Sequence, residues 1–389
     1  MKVLIVSHTY ISAVNRDKWN VLAQRYPQVQ LIVIFPKRWP SCLFMHQATA
    51  SIHQETNCSF IALDTFKEGN ELLYSYAPMQ LFRIMKKFRP DIIQVEQGDG
   101  ALSYCQINLF AKILRLKAKS VFFTWINWQP KHSLKSRLYL SCIEKINLNF
   151  AHGAIAGNNA AQMLLHKKGF SKPILTIPQL GINKTLFSPP QPDTINRSSK
   201  YIGFVGRFTE EKGIFYLVRT FLKLANNFPD WKLVFIGKGP AEQRLQGFVA
   251  SKQMLNRIEF CKPVPHETIA HYLRKIDILV LPSYDTPLWR EQFGHVLIEA
   301  MASNVPVIGS NAGEIPHVIG NSGLIFKQRD EADLLAQLKT LMQDDELRKK
   351  LGARGYHRAH EEFSHEAIAD KTYGFWQQLI AAPLSKRAF

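Results

Sequence analysis

No apolar run in the 389 residues approaches the ~18 that a membrane-spanning helix needs. The opening MKVLIVSHTY has a lysine followed by four apolar residues. That is short of the ~7–15 of a signal-peptide core, and it reads as a buried first strand. Cysteine is scarce. Cys42, Cys58, Cys105, Cys142 and Cys261 are odd in number, far apart and without a C-x-x-C pair, which argues for reduced thiols in a cytosolic protein. Repeats and low-complexity tracts are missing, and no G-x-x-x-x-G-K-[ST] phosphate loop occurs. GKGPAEQ puts Glu242 where a dinucleotide fingerprint needs its third glycine. HETIAH (266–271) spaces its histidines five apart, ~140° around a helix, so these two cannot share a zinc. His357, His360 and His365 sit in a charged tail and are expected to be solvated. Acidic residues are in deficit. Lys and Arg number 49 against 31 Asp and Glu, a net charge of +18. Residues 1–195 hold 23 against 10, or +13, and the remainder 26 against 21, or +5. So basic a half suits an anionic partner, and without any nucleic-acid motif nucleic acid is not expected.

What is present is 46% apolar and 21% charged, enough for a sizeable core, and the length suggests two domains. Short apolar strands alternate with helical stretches: KVLIVS, a helix from an Asn15 N-cap to Arg25, VQLIVIF, a less regular 40–75, a helix at 78–89, PDIIQVE, a helix at 101–117, SVFFTWIN, HGAIAGN. The proline-rich 187–200 reads as a linker. The alternation then restarts with YIGFVG, a helix from Lys212 to Asn226, WKLVFIG, helices near 240–253 and 266–275, IDILVLP, a helix from Gly294, and VPVIGS. Such alternation predicts two doubly wound parallel sheets, each binding ligands at the carboxyl ends of its strands, facing each other across an interdomain cleft. The expected domains are 1–190 and 200–370, with 371–389 a helix that needs a surface for Tyr373, Phe375, Trp376, Leu379 and Ile380 and packs back on the first domain.

In WREQFGHVLIEAMAS, Glu291 and Glu299 stand eight positions apart. On one helix they would lie ~80° apart, but Gly294 predicts that the helix starts there. Glu291 then lies in the loop before it and Glu299 on its second turn, facing the cleft. The N–H groups near Gly294, His295 and Val296 form a helix start that favours an anion such as phosphate. The loop after YIGFVG supplies cations: Arg207 to fork two diphosphate oxygens and Lys212 as a point charge.

In order and spacing, GRFTEEKG, FIGKGP, LPS (281–283), EQFGHVLIEAMA, PVIGS and GEIP resemble the family 4 retaining glycosyltransferases of GT-B fold. The resemblance covers residues 200–330. Over 1–195 it rests on the strand rhythm and IPQLGINKTLFSP. It implies a hexosyltransferase using a UDP- or GDP-sugar as co-substrate, with no cofactor and no metal. Arg207 and Lys212 would bind the donor diphosphate and stabilise the leaving group, and Glu291 would sit beside the transferred sugar. Glu299 would hydrogen-bond the ribose. Gly206, Phe293, Gly294, His295 and Val296 would line the donor, with main chain at Lys262 to Val264 against the nucleobase. Transfer would occur on the face the leaving group vacates, with phosphate as base.

The chain departs from the family after its first strand, where SHTYISAVN has no glycine, and at Ile126, where relatives have histidine. Asn127, Glu96 and His8 are the acceptor-side candidates. The basic stretches 79–89, 110–119 and 131–146, the second with Lys112, Arg115 and Lys119 at helical spacing, suit an anionic membrane surface, with Trp125 and Trp128 as exposed aromatics. The resulting expectation is a cytoplasmic enzyme, peripheral on the inner membrane face, extending a glycan or lipid-linked acceptor in cell-surface polysaccharide or glycolipid assembly. The alternative is a catalytically silent sugar-nucleotide-binding subunit.

Overall fold

The computed structural model describes residues 1–40, 45–47, 57–128, 134–189 and 199–382. Cys42, residues 131–133 and most of the expected linker (190–198) lie outside them. The chain divides into two compact units, Met1–Gly181 with His365–Phe389, and Ile182–Ser364.

The first unit is built on seven parallel strands. In spatial order they are Ile174–Thr176, Gly153–Ala156, Lys119–Thr124, Ile92–Val95, Lys2–Val6, Gln30–Pro36 and Cys58–Leu63. The central strands are buried along nearly their whole length, as in a parallel sheet covered on both faces. Its helices are α1 (Asp17–Arg25), α2 (Pro78–Phe88), α3 (Leu102–Ile113), α4 (Leu134–Phe150) and α5 (Asn159–Lys167). Helix α3 packs on both α2 and α4, making one layer. Asn15 does not cap α1, which starts at Asp17 after a short 3-10 turn. The Asn15 side chain donates instead to the Thr9 carbonyl at 2.7 Å.

The second unit has six parallel strands in the spatial order Ile258–Cys261, Trp231–Ile236, Lys200–Val205, Ile278–Leu281, Val307–Ser310 and Gly323–Phe326. Counted along the chain this is 3-2-1-4-5-6, the Rossmann order. Its helices are α6 (Ile214–Leu224), α7 (Glu242–Ser251), α8 (His266–Leu273), α9 (His295–Ala302), α10 (Ile315–Ile319), α11 (Glu331–Gln343) and α12 (Asp345–Glu362). The order reverses between the strands ending at Val205 and Leu281, and the loops leaving those two ends hold the candidate site.

The last helix, α13 (His365–Ala381), starts before the expected boundary at 371 and packs on α1 of the first unit. Trp376 stacks on Trp19 with centroids 6.0 Å apart, and its indole N–H donates to Gln94 Oε1 at 2.8 Å. Arg25 forks both oxygens of Asp370 at 2.7 Å. His365, expected to be solvated, is buried because it opens this packed helix.

Candidate functional site

Gly213 sets the first half of the site. It ends the 3-10 turn Glu210–Lys212 and caps α6 with φ +72°, and a Cβ there would meet the Pro282 carbonyl oxygen at 1.9 Å. Only glycine lets the two loops come this close. Tyr284 N–H donates to the Glu211 carbonyl at 2.8 Å and fastens them together. Lys212, one residue before the glycine, reaches Glu291 Oε2 at 2.6 Å. Ser283 Oγ, fully buried, donates to the same oxygen at 2.9 Å, and Lys212 Nζ stands 4.9 Å from the Trp289 ring centre. Lys212 and Glu291, 79 positions apart, thus form a charge-assisted pair at the switch point.

The second half is the start of α9. Gly294 is its N-cap with φ +81°, and a Cβ would meet Leu281 Cδ2 at 2.8 Å. No side chain caps this end, so the N–H groups of its first turn have no side-chain acceptor from the cap position. Phe293 and Glu291 are buried just before the cap, and His295 and Val296 are half-buried after it. Glu299 lies on the second turn and is 5% exposed. Its Oε1 accepts from His266 Nε2 at 2.8 Å and from His295 Nδ1 at 2.9 Å. Burial opposes the charge on Glu299, but the hydrogen bonds and charges of the two histidines together bring its carboxyl down to about 2. His266 is a partner the sequence could not reveal, since it comes from another helix.

Arg207, at the carboxyl end of Lys200–Val205, is exposed and makes no ion pair among the described residues. Gly206 precedes it with φ +156°. Lys262 is exposed and Val264 half-buried in the loop after Ile258–Cys261, on the same carboxyl side of the sheet. All the donor-side residues therefore lie in the second unit, in loops or helix starts that follow its strands.

Of the acceptor-side candidates, His8 and Glu96 lie in the first unit at its own order reversal between Lys2–Val6 and Ile92–Val95, while Asn127 follows the next strand, Lys119–Thr124. His8 stacks on Trp39 with centroids 4.6 Å apart, and its Nδ1 is 2.6 Å from Gln97 Nε2. Burial lowers its pKa despite Glu71 at 3.5 Å, which keeps the ring neutral. Glu96 is 3% exposed, and its carboxylate is consumed internally. Oε1 accepts from Lys18 at 2.9 Å and Gln94 at 2.8 Å, and Oε2 from Gln179 at 2.9 Å and from the Tyr10 hydroxyl. With donors filling its lone-pair sites, Glu96 acts as the buried counter-ion of Lys18. Asn127 is buried, and Ile126 is half-buried.

Two expectations about the basic face need correction. Helix α3 ends at Ile113, not near 117, and Lys119 is buried in a strand with Nζ on the Ala382 carbonyl at 2.8 Å. Trp125 and Trp128 are half-buried, the former with its N–H on Gln179 Oε1 at 3.0 Å. Cations and apolar groups are nevertheless exposed together on the α2–α3 layer: Met79, Arg83, Lys86, Lys87, Leu109, Lys112 and Ile113. No helix among the described residues is long and apolar enough to cross a membrane.

Residues 190–358 match the family model described as glycosyl transferases group 1. The chain is 32% identical over 194 residues to D-inositol 3-phosphate glycosyltransferase of Corynebacterium jeikeium, covering 47% of this chain but only 45% of that protein's length. An uncharacterised glycosyltransferase of Methanocaldococcus jannaschii is 23% identical over 366 residues, 82% of this chain and 87% of its own. Among solved structures, Anabaena HepE in complex with UDP superposes with a TM-score of 0.75 over 97% of this chain and 100% of its own, at 16% identity, a likeness of fold. Residues 190–358, under half of the chain, thus carry the glycosyl transferases group 1 match, and the chain as a whole shares the two-domain GT-B fold.

Proposed function

We propose that the chain transfers a hexose from a UDP- or GDP-sugar, with retention and without a metal in the chemistry, to a glycan or lipid-linked acceptor in cell-surface polysaccharide or glycolipid assembly. One observation carries this reading: Lys212, Glu291 and the glycine-capped start of α9 converge at the switch point of the second sheet. Cleaving a glycosyl–phosphate bond builds negative charge on the diphosphate and positive character on the sugar carbon. The start of α9 and the cations Arg207 and Lys212 match the first charge. Preorganised donors of this kind are the largest expected catalytic term. Glu291 holds Lys212 in place until a diphosphate arrives, then stands beside the transferred sugar. Glu299 takes the ribose hydroxyls, with its charge maintained by His266 and His295. The departing phosphate, on the same face as the acceptor, removes the acceptor's proton.

On the acceptor side, the exposed Met79, Leu109 and Ile113 among Arg83, Lys86, Lys87 and Lys112 fit an anionic lipid surface, since α2 and α3 carry no acidic residue. Such a surface supports the proposed location at the inner membrane face.

Incubation with a panel of UDP- and GDP-sugars, UDP-glucose first, should give nucleotide release and, with an acceptor-containing lipid extract, a product of retained anomeric configuration by NMR. A second reading, a silent sugar-nucleotide-binding subunit, is favoured by Ile126 in place of histidine and by Glu96 being committed to Lys18. Nucleotide binding without any turnover across the panel would select it.

A further inference from the structure

His266 opens α8, His295 opens α9, and the two helices pack together. His295 and Glu299 share a helix face at i and i+4, while His266 approaches from the neighbouring helix. Both imidazoles aim at one carboxylate oxygen, and the three potential ligand atoms all lie within 4.8 Å of one another. Two imidazole nitrogens and one carboxylate oxygen within this span form a set of three ligands of the types zinc takes. Imidazole ligands select zinc and its transition-metal neighbours over magnesium or calcium.

We propose that His266, His295 and Glu299 hold a divalent cation of the zinc class, and that this ion keeps the nucleotide's ribose off Glu299 and so brakes donor binding. The site itself stands on the ligand geometry; the brake rests on the donor-site reading. Ligands ~2.0–2.1 Å from a tetrahedral ion sit about 3.3 Å apart. The two N···O separations of 2.8 and 2.9 Å must therefore open by about half an ångström. Both histidine side chains are 34% exposed, which leaves each ring room to turn on its solvent side. Each nitrogen gives up its hydrogen bond to Glu299 and presents a lone pair. The proton it carried passes to the ring's other nitrogen or to solvent, as metal binding to imidazole requires. Among the described residues His295 Nε2 is buried without a hydrogen-bond partner, so the Nδ1 bond to Glu299 alone holds the present tautomer, and the ion would replace that bond. Two helix starts oppose a cation here, which makes the site weaker than a four-ligand structural zinc and the ion exchangeable, as a brake requires. This is not the pair in HETIAH: His271, five residues from His266, has no part in it.

The test is a Co²⁺ titration of the metal-stripped full chain, followed in the visible, with UDP calorimetry run with and without Zn²⁺. The expected result is ligand-field bands that saturate at one equivalent. His266→Gln and His295→Gln should each weaken cobalt binding at least tenfold, with circular dichroism melts showing that both variants fold, while His271→Gln binds as the parent does. Saturating Zn²⁺ should raise the UDP Kd at least tenfold in the parent, and far less in His266→Gln. Absent bands in the parent, or bands that persist unchanged in both variants, overturn the site. An unchanged UDP Kd under Zn²⁺ overturns the brake. Failure of metal-free protein to bind UDP at all counts against the donor reading and leaves the cobalt result standing.

Discussion

At the scale of single residues, the site separates charge that is committed from charge that is available. Lys212 is held by Glu291, whereas Arg207 is exposed and makes no ion pair among the described residues. Lys212→Ala should lower kcat by ~10²–10³, the usual loss for one preorganised donor. Glu299→Ala should act mainly on donor KM, because the ribose contact proposed for it would exist equally in ground and transition states. Steady-state kinetics on both variants separates these outcomes, and unaltered kinetics in Lys212→Ala would show the diphosphate to be elsewhere. Much of this site was legible in the sequence, because glycine before a helix and cations after a strand are local patterns. Ser283, Trp289 and His266 were not legible as partners, since each meets its target only through the packing of separate loops and helices.

At the scale of elements, the close approach of two loops depends on Gly213. Gly213→Ala combines left-handed φ with a backbone clash, and should destabilise the second unit by roughly 1–3 kcal/mol while displacing Lys212. Urea unfolding paired with UDP affinity would register both effects. In the first unit, Glu96→Ala strands the buried ammonium of Lys18 and should cost about 3–5 kcal/mol in the same measurement. An effect below 1 kcal/mol would mean Lys18 finds another partner. In the two large sheets, the strands the sequence left unread, Cys58–Leu63, Ile174–Thr176 and Gly323–Phe326, are all edges. Each is only partly buried, unlike the central strands, which are covered on both faces. Lys119 was misassigned for the opposite reason. A lysine read as helical surface proved to be the buried first residue of a strand, its ammonium group tied to a main-chain carbonyl.

At the scale of the whole molecule, the charge asymmetry and the pH response can both be checked. Binding to vesicles should rise with anionic lipid content and fall with salt, and a Lys86→Glu/Lys87→Glu pair should reduce it without altering donor affinity. Vesicle binding indifferent to lipid charge would remove the membrane from the account. Burial and the nearby Lys119 and Lys172 push the His152 pKa down to about 4, and its Nδ1 accepts from Ser120 N–H at 3.1 Å. Between this value and the unfolded ~6.5 the unfolded chain binds the extra proton, so stability rises with pH. The first unit should therefore lose stability as pH falls from about 6.5 toward 4, and His152→Gln should flatten that slope in denaturant midpoints. The central claim is that a diphosphate is seated, without metal, at the start of α9 between Arg207 and Lys212. Calorimetric titration of UDP in EDTA, comparing the parent with Arg207→Ala/Lys212→Ala, tests it most directly. The account predicts binding by the parent and a Kd raised at least about a hundredfold in the double variant, from two lost charge-assisted contacts of ~1.5–3 kcal/mol each. Equal affinity in the two proteins would contradict it.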